Sequence, residues 1–228
     1  MTATTRRSLL IATALGATGL ARGQSFPNKP LRILVGYSAG GGVDAMARLL
    51  ATGLAPVLGQ QVVVENRAGA SGLIASEAVA QSAADGHTLM LGETGLLIAH
   101  LLRGGKGLDP LKALMPVAGL FVSPLVIVAN NQLPIRNPKD LVAMLKAHPG
   151  KYSYASSGIG TVQHLGFEML KAATGAFVVH IPYRGAAQIV PDVIGGQVPL
   201  GVVSATAGLS QHRAGKLRAV ALMSPAKL

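Results

Sequence analysis

Apolar residues run almost unbroken from Leu31 to Tyr37, the pattern of a strand buried on both faces. Small residues follow from Ser38 to Gly42. Then Val43, Met46, Leu49/Leu50, Leu54 and Val57/Leu58 recur at helical spacing, and Gly59 supplies a stop. Gln61 to Glu65 is a β-branched strand. Asn66-Arg67-Ala68-Gly69 is a turn-rich link to a helix near Ser71 to Ser82, and Asp85-Gly86 turns the chain into a strand at Thr88 to Gly92. Leu96 to Leu102 has the apolar content of one or two helical turns, ahead of Gly104-Gly105-Lys106-Gly107. Val117 to Phe121 and Leu125 to Ala129 read as strands separated at Ser123-Pro124. The rhythm then repeats. Asn137 is placed to cap a helix with Pro138 in its first turn, running to about His148. A strand at Tyr152 to Ala155, a loop at Ser156 to Gly160 and a helix from Thr161 to Thr174, stopped by Gly175, come next. Phe177 to Ile181 is a strand, Pro182 to Gly185 a loop, and Ala187 to Ile194 a helix stopped by Gly195-Gly196. Strands at Leu200 to Ser204 and Leu217 to Met223 flank another short helix. Such alternation predicts an α/β fold of mainly parallel sheets flanked by helices.

Two stretches share one plan of strand, small-residue loop and helix: ILVGY-SAGGG-VDAMARLL, Ile33 to Leu50, and YSYA-SSGIG-TVQHLGFEML, Tyr152 to Leu170. A loop opening a helix presents unpaired backbone N–H groups at the positive end of the helix dipole, which makes each unit an anion cradle. In open α/β sheets, ligands sit beyond the carboxyl ends of the strands. The Asn66 and Pro182 loops leave their strands there too. Two cradles far apart in sequence predict two lobes facing one cleft. One helix terminus supplies about 0.3–1 kcal/mol, whereas micromolar binding needs about 8 kcal/mol. Charge-assisted hydrogen bonds of about 1.5–3 kcal/mol each are therefore required from both lobes. Arg184, beside Tyr183, is placed to grip a carboxylate bidentately, and Arg67 is similar. Ser157 and Thr161 bring hydroxyls next to free N–H groups; Thr161 is equally an N-cap. Asp44 sits in the first turn of the first helix, where it complements the dipole and would repel an anion.

The first 23 residues change the picture of where the chain works. Arg6-Arg7 form a basic start, Leu9 to Leu20 an apolar stretch of 12 residues, and Ala21-Arg22-Gly23 a cleavage signature before Gln24. That stretch is short of the ~20 residues a membrane span needs. Export through a signal peptide at 1–23 is predicted; the arginine pair also carries a twin-arginine flavour. The 228-residue chain has no cysteine, which excludes thiol catalysis and thiolate metal sites. Its net charge is +11; removing Arg6, Arg7 and Arg22 leaves 17 basic against 9 acidic residues, a net +8. No basic-aromatic stripe accompanies that charge, so it reads as a bias towards small anions rather than as a nucleic-acid surface. The sequence contains no G-x-S-x-G, H-E-x-x-H, Walker A or G-x-G-x-x-G motif, and its six histidines lack metal-ligand spacing. No cofactor or metal is expected. The acids available to an enzymatic reading are Asp44, Glu65, Glu93 and Asp192, and no convergent acid–base pair is visible among them.

Taken together, SFPNKPLRILVGYSAGGGVDAMAR, QVVVENRAGASG, DGHTLMLG, LVIVANNQLPIRNPKDLVA, YSYASSGIGTVQHL, HIPYRGAAQIVPDVIGGQV and GKLRAVALMS cover most of Ser25 to Ser224. In that order they resemble the periplasmic solute receptors of tripartite tricarboxylate transporters, the Bug receptor family. The resemblance implies a two-lobed, type II-like periplasmic-binding-protein architecture, with lobe one at 24–127, lobe two at 128–219, and 220–228 returning towards lobe one. It implies a monomeric receptor, not an enzyme, that captures a small carboxylate and delivers it to a membrane permease. A sensory receptor signalling to a membrane kinase is the alternative use of the same cleft, and a periplasmic enzyme of similar fold a further one. The implied ligand residues are Tyr37, Ser38, Ala39, Gly40, Gly41, Gly42 and Asp44 from the first unit, Ser156, Ser157, Gly158, Gly160, Thr161 and His164 from the second, and Tyr183, Arg184, Gly185 and Ala186. Val43 stands where the family commonly has a hydroxyl residue, Ala68 where it often has Pro, and Arg184 where it often has Lys. Family members continue well past GKLRAVALMS, which predicts a first lobe lacking its last strand and helices and exposing apolar surface.

Overall fold

Strand β1 (Leu31–Val35) is buried along nearly its whole length because it is the centre of a sheet. In this computed structural model, which describes residues 26–224, β2 (Val62–Asn66) and β3 (Thr88–Leu91) flank it, both parallel, in the order β2-β1-β3. Helix α1 (Gly42–Leu58) lays Val43, Met46, Ala47 and Leu50 on one face of the sheet beside Ile33, Val35 and Leu91. Gly59 ends α1 in the left-handed conformation, as its sequence predicts. A 3₁₀ turn (Ala70–Gly72) leads into α2 (Leu73–Ala80), and α3 (Gly95–Leu102) follows β3; Leu73, Leu96 and Ala99 form a second small cluster. A short α4 (Pro110–Ala113), capped by the Asp109 side chain, opens the crossing to the second sheet.

That second sheet has five strands, β4 (Leu125–Ala129), β5 (Ser153–Ser156), β6 (Val179–Pro182), β7 (Leu200–Ser204) and β8 (Arg218–Met223), in the order β6-β5-β7-β4-β8. β5 runs parallel to β6 and β7, while β4 runs antiparallel to β7 and β8. The sheets are thus mainly parallel, as the alternating pattern predicts. Side chains alternate along β4: Ile127 and Ala129 join Leu141, Leu145, Tyr154 and Phe167 on one face, and Val126 and Val128 join Ile189, Val193 and Val203 on the other. Helices α5 (Pro138–Ala147) and α6 (Val162–Thr174) contribute to the former cluster and α7 (Ala186–Gly195) to the latter; α8 (Ala205–Arg213) joins β7 to β8. Asn137 caps α5, accepting from the Asp140 amide, and Pro138 occupies its first turn.

Three expectations need adjusting. Residues 117–121 form no strand: the stretch has no ladder partner among the described residues, and Val117 and the adjoining Val122 are 81% and 94% exposed. The expected lobe border at 127/128 falls inside β4, all of whose residues pair in the second sheet, so the sheets separate before Leu125. Residues 221–223 likewise remain paired with β4 instead of returning to the first sheet. The segment 1–23 read as a signal peptide lies outside the described residues.

Candidate functional site

The carboxyl ends of both sheets face each other. Loops leaving β1, β2, β5 and β6, with the end of α3, enclose a cavity of about 400 Å³ lined by Gly36, Tyr37, Gly69, Ala70, Ser71, Ala99, Leu102, Arg103, Ser157, Gly158, Ile159, Pro182, Tyr183 and Arg184. The backbone is specialised here. A Cβ on Gly36 would lie 2.5 Å from the Gly72 Cα, so β1 and the 3₁₀ turn approach at a distance only glycine allows. Gly69, Ala70 and Ser71 have φ of 140°, 49° and 54°, and Gly158 has 133°. Two consecutive non-glycine residues in the left-handed region cost roughly 1–2 kcal/mol each. Such strain persists where the surroundings over-determine it. The surroundings here include the other lobe: Ser71 Oγ donates to the Ile159 carbonyl at 2.6 Å. At the rim, the Ser38 amide and hydroxyl donate to the Arg184 carbonyl at 3.3 and 3.2 Å.

Five of the sequence-predicted residues line the cavity: Tyr37, Ser157, Gly158, Tyr183 and Arg184. Tyr37 is fixed from beneath, its hydroxyl donating to Glu93 Oε1 at 2.5 Å. Burial raises both groups; for Tyr37 the neighbouring Glu93 charge adds to the rise, and for Glu93 the tyrosine hydrogen bond opposes it. Tyr183 donates to Asp192 Oδ2 at 2.6 Å, and its phenol is pushed up to about 12 by burial and by that carboxylate. The other predicted residues shape the loops. Gly40, Gly41 and Gly42 fall outside the cavity lining; a Cβ on Gly41 would lie 3.8 Å from both the Ala186 and Ala187 nitrogens, so the first loop rests on the start of α7. Ala39 is exposed, Gly185 packs on Ser38, and Ala186 joins the second-lobe core.

Asp44 is occupied as scaffold. It is 3% exposed and accepts from the Gly40 amide at 2.8 Å, Arg48 Nε at 3.0 Å and Asn66 Nδ2 at 2.9 Å. Burial pushes its carboxyl up, but the bonds from Arg48, Gly40 and Asn66 outweigh that, and the net shift is downward. It ties the first loop to the end of β2. The second loop has an equivalent. Thr161 caps α6, donates to the Gly158 carbonyl at 2.8 Å and is fully buried. Ser156 Oγ accepts from the Gly158 amide and lies 2.7 Å from His180 Nε2. His164 stacks on His180 with centroids 4.2 Å apart, and its Nδ1 accepts from the Gly160 amide at 3.3 Å. That bond requires a neutral imidazole, and burial lowers both rings, His180 to about 4.

Sequence reasoning missed Gly36, Ala70, Ser71, Ala99, Leu102 and Arg103. Ala99, Leu102 and Arg103 lie at the far end of α3, the helix that follows β3; the Gly92-Glu93-Thr94-Gly95 link ahead of that helix, leaving a strand as the other loops do, was the available signal. Among the described residues no group of three or more His, Asp or Glu side chains could hold a metal ion, and no helix is long and apolar enough to cross a membrane.

Two α/β lobes with a cleft at the carboxyl ends of their strands define a periplasmic binding protein. The chain belongs to the tripartite tricarboxylate transporter family of receptors, whose model matches residues 46–228. It is 38% identical over 218 residues to protein BugT of Bordetella pertussis, covering 95% of this chain and 67% of that one. Its structure is similar to periplasmic binding protein BugD, with a TM-score of 0.83 and 36% identity over 89% of this chain and 68% of that one. It is similar also to R. palustris Rpa4515 with adipate, with a TM-score of 0.82 and 30% identity over 89% of this chain and 68% of that one.

Proposed function

We propose that this protein is an exported, monomeric receptor that holds a small organic carboxylate in the interlobe cleft and delivers it to the membrane permease of a tripartite tricarboxylate-type transporter. The observation that carries this reading is the composition of the cavity: it is built by loops from both sheets, offers Ser157, two arginines and glycine-loop backbone, and contains no acidic side chain. The adipate bound by Rpa4515 supports an organic acid as the guest. Ligand residues are Tyr37, Ser157, Gly158, Tyr183 and Arg184, with the Ser38–Gly42 and Ser156–Thr161 loops holding the geometry.

Thermal melting of the purified protein against a panel of mono-, di- and tricarboxylates tests it. A bound acid at 100 times its dissociation constant adds about 2.7 kcal/mol, a rise of roughly 5–10 °C for a chain of this size. A panel that leaves the melting temperature unmoved counts against the carboxylate reading.

A further inference from the structure

We infer that His164 couples the cleft to proton binding: ligand capture and lobe closure require its imidazole neutral, and mild acid loosens the second loop and releases the ligand. The inference rests on the receptor reading of the cleft and adds to it a positioning residue and a pH dependence.

The second loop is held from two sides. Ser157, Gly158 and Ile159 line the cavity. From the front the first lobe closes on them: Ser71 Oγ donates to the Ile159 carbonyl at 2.6 Å, and a Cβ on Gly160 would lie 3.1 Å from the Ala99 Cα. From behind, two histidines hold the same residues. The Gly160 amide donates to His164 Nδ1 at 3.3 Å. The Gly158 amide donates to Ser156 Oγ at 3.2 Å, and that oxygen lies 2.7 Å from His180 Nε2. The two rings stack with centroids 4.2 Å apart.

A proton acts differently on the two rings. Protonated His180 still presents an N–H to Ser156 Oγ. Protonated His164 carries a hydrogen on Nδ1, where the Gly160 N–H already points, so the bond is lost and two donors face each other. Gly160 is buried, and its amide then has to move to find another acceptor. Any such movement disturbs the close approach to Ala99 and the Ile159 carbonyl that Ser71 holds. The groups facing His164 are His180 on β6, Glu168 and Lys171 on its own helix, and behind them Tyr154 on β5, which donates to Glu168. Arg103 and Arg184 line the cavity on the loop's far side. Burial lowers His164 most; Glu168, 3.9 Å from Nε2, draws a proton towards the ring, Lys171 opposes it, and the net shift is downward. His180, held down to about 4, stays neutral in mild acid, so His164 is the member that titrates. Above about pH 6.5, the ordinary histidine value, the ring is neutral and the loop is intact. As pH falls through the lowered value, proton binding favours the loosened loop while ligand favours the closed one. Each therefore weakens the other by the same factor.

Histidine imidazole NMR titrations read the ring directly. They are run on the wild-type protein, free and saturated with whichever of succinate, adipate, citrate and hexanoate binds at pH 7.5. The His164 midpoint is expected to move down in the bound protein. Isothermal calorimetry from pH 7.5 to pH 5.0 reads the reciprocal effect on wild type and on His164→Asn, whose Oδ1 occupies nearly the position of Nδ1 and takes no proton. Wild-type affinity is expected to fall roughly three- to tenfold further than that of His164→Asn over this range. Protonation of the acid itself affects both proteins alike and cancels in the comparison. A role in packing alone would change the His164→Asn affinity by one factor at every pH. A His164 midpoint that stays or rises on binding, or affinity profiles that run parallel, overturns the inference and leaves the receptor reading standing. Should His164→Asn fail to fold, the wild-type NMR titration decides by itself. If none of the four acids binds at pH 7.5, the inference falls together with the carboxylate reading.

Discussion

Ser71 shows how much a single residue of this cleft is asked to do. It holds a left-handed backbone at φ 54° and ψ 37°, is 8% exposed, and reaches across to the other lobe with its hydroxyl. Ser71→Ala loses the bond, worth about 0.5–1.5 kcal/mol net, and keeps the backbone strain. Ser71→Gly loses the same bond but relieves roughly 1–2 kcal/mol of strain against a flexibility cost of roughly 0.5–1. Urea denaturation is therefore expected to rank wild type above Ser71→Ala, with Ser71→Gly more stable than Ser71→Ala by roughly 0.5–1 kcal/mol. Equal stability of the two variants would remove strain from the account. Neither feature was legible in the sequence: Ala-Ser-Gly reads as an ordinary helix entry, and the bond that Ser71 makes is to the Ile159 carbonyl of the opposite lobe, 88 residues away.

Helix α6 was legible almost to the residue, from the Thr161 cap to the Gly175 stop, because both ends are set by local chemistry. What the sequence did not display is the stack the helix forms with β6. His180 faces His164, Glu168 and Lys171 of α6 and Tyr154 of β5; Tyr154 donates to Glu168, which also pairs with Lys171. Burial first, and then the adjacent His164, hold His180 down to about 4, whereas the unfolded chain protonates it near 6.5. Between those values the unfolded state binds more protons, so stability rises with pH. This contribution is fully present above about pH 6.5 and is lost as pH falls towards 4. Allowing for the ring's partial exposure, the loss amounts to about 1 kcal/mol, or roughly 2–4 °C of melting temperature. Melts from pH 7 to pH 4 should show a shallower decline for His180→Gln than for the wild type; parallel declines would mean that the stack carries no such linkage.

Seen as a molecule, the two lobes are unequally covered. The five-stranded sheet has buried clusters on both faces, while the three-stranded first sheet and its approaches leave Leu49, Val57, Val63, Ile74, Leu111, Met115, Val117 and Val122 exposed, several of them beyond two thirds. Exposed apolar side chains that lie together attract apolar ligands. The exposure expected of the first lobe is thus present among the described residues. The native protein should bind an anilinonaphthalene sulfonate dye well below its melting temperature, and Val57→Lys together with Val122→Lys should reduce the signal. Native fluorescence no higher than that of the dye alone would show this surface to be covered in solution.

The sequence by itself determined the succession of elements, the helix starts and stops, the family, and the two loops that frame the cleft, since each depends on residues within a few positions of one another. It also placed Arg184, and it favoured Asp44 as a complement to its own helix dipole, the scaffold role that the bonds to Gly40, Arg48 and Asn66 now explain. Tertiary structure alone decided that residues 117–121 remain unpaired, that β8 stays with β4, that His164 serves the second loop from behind, and that Arg103 shares a cavity with Arg184. These depend on which strand finds which neighbour and on how two lobes meet, and such contacts join residues too distant along the chain for any local pattern to encode.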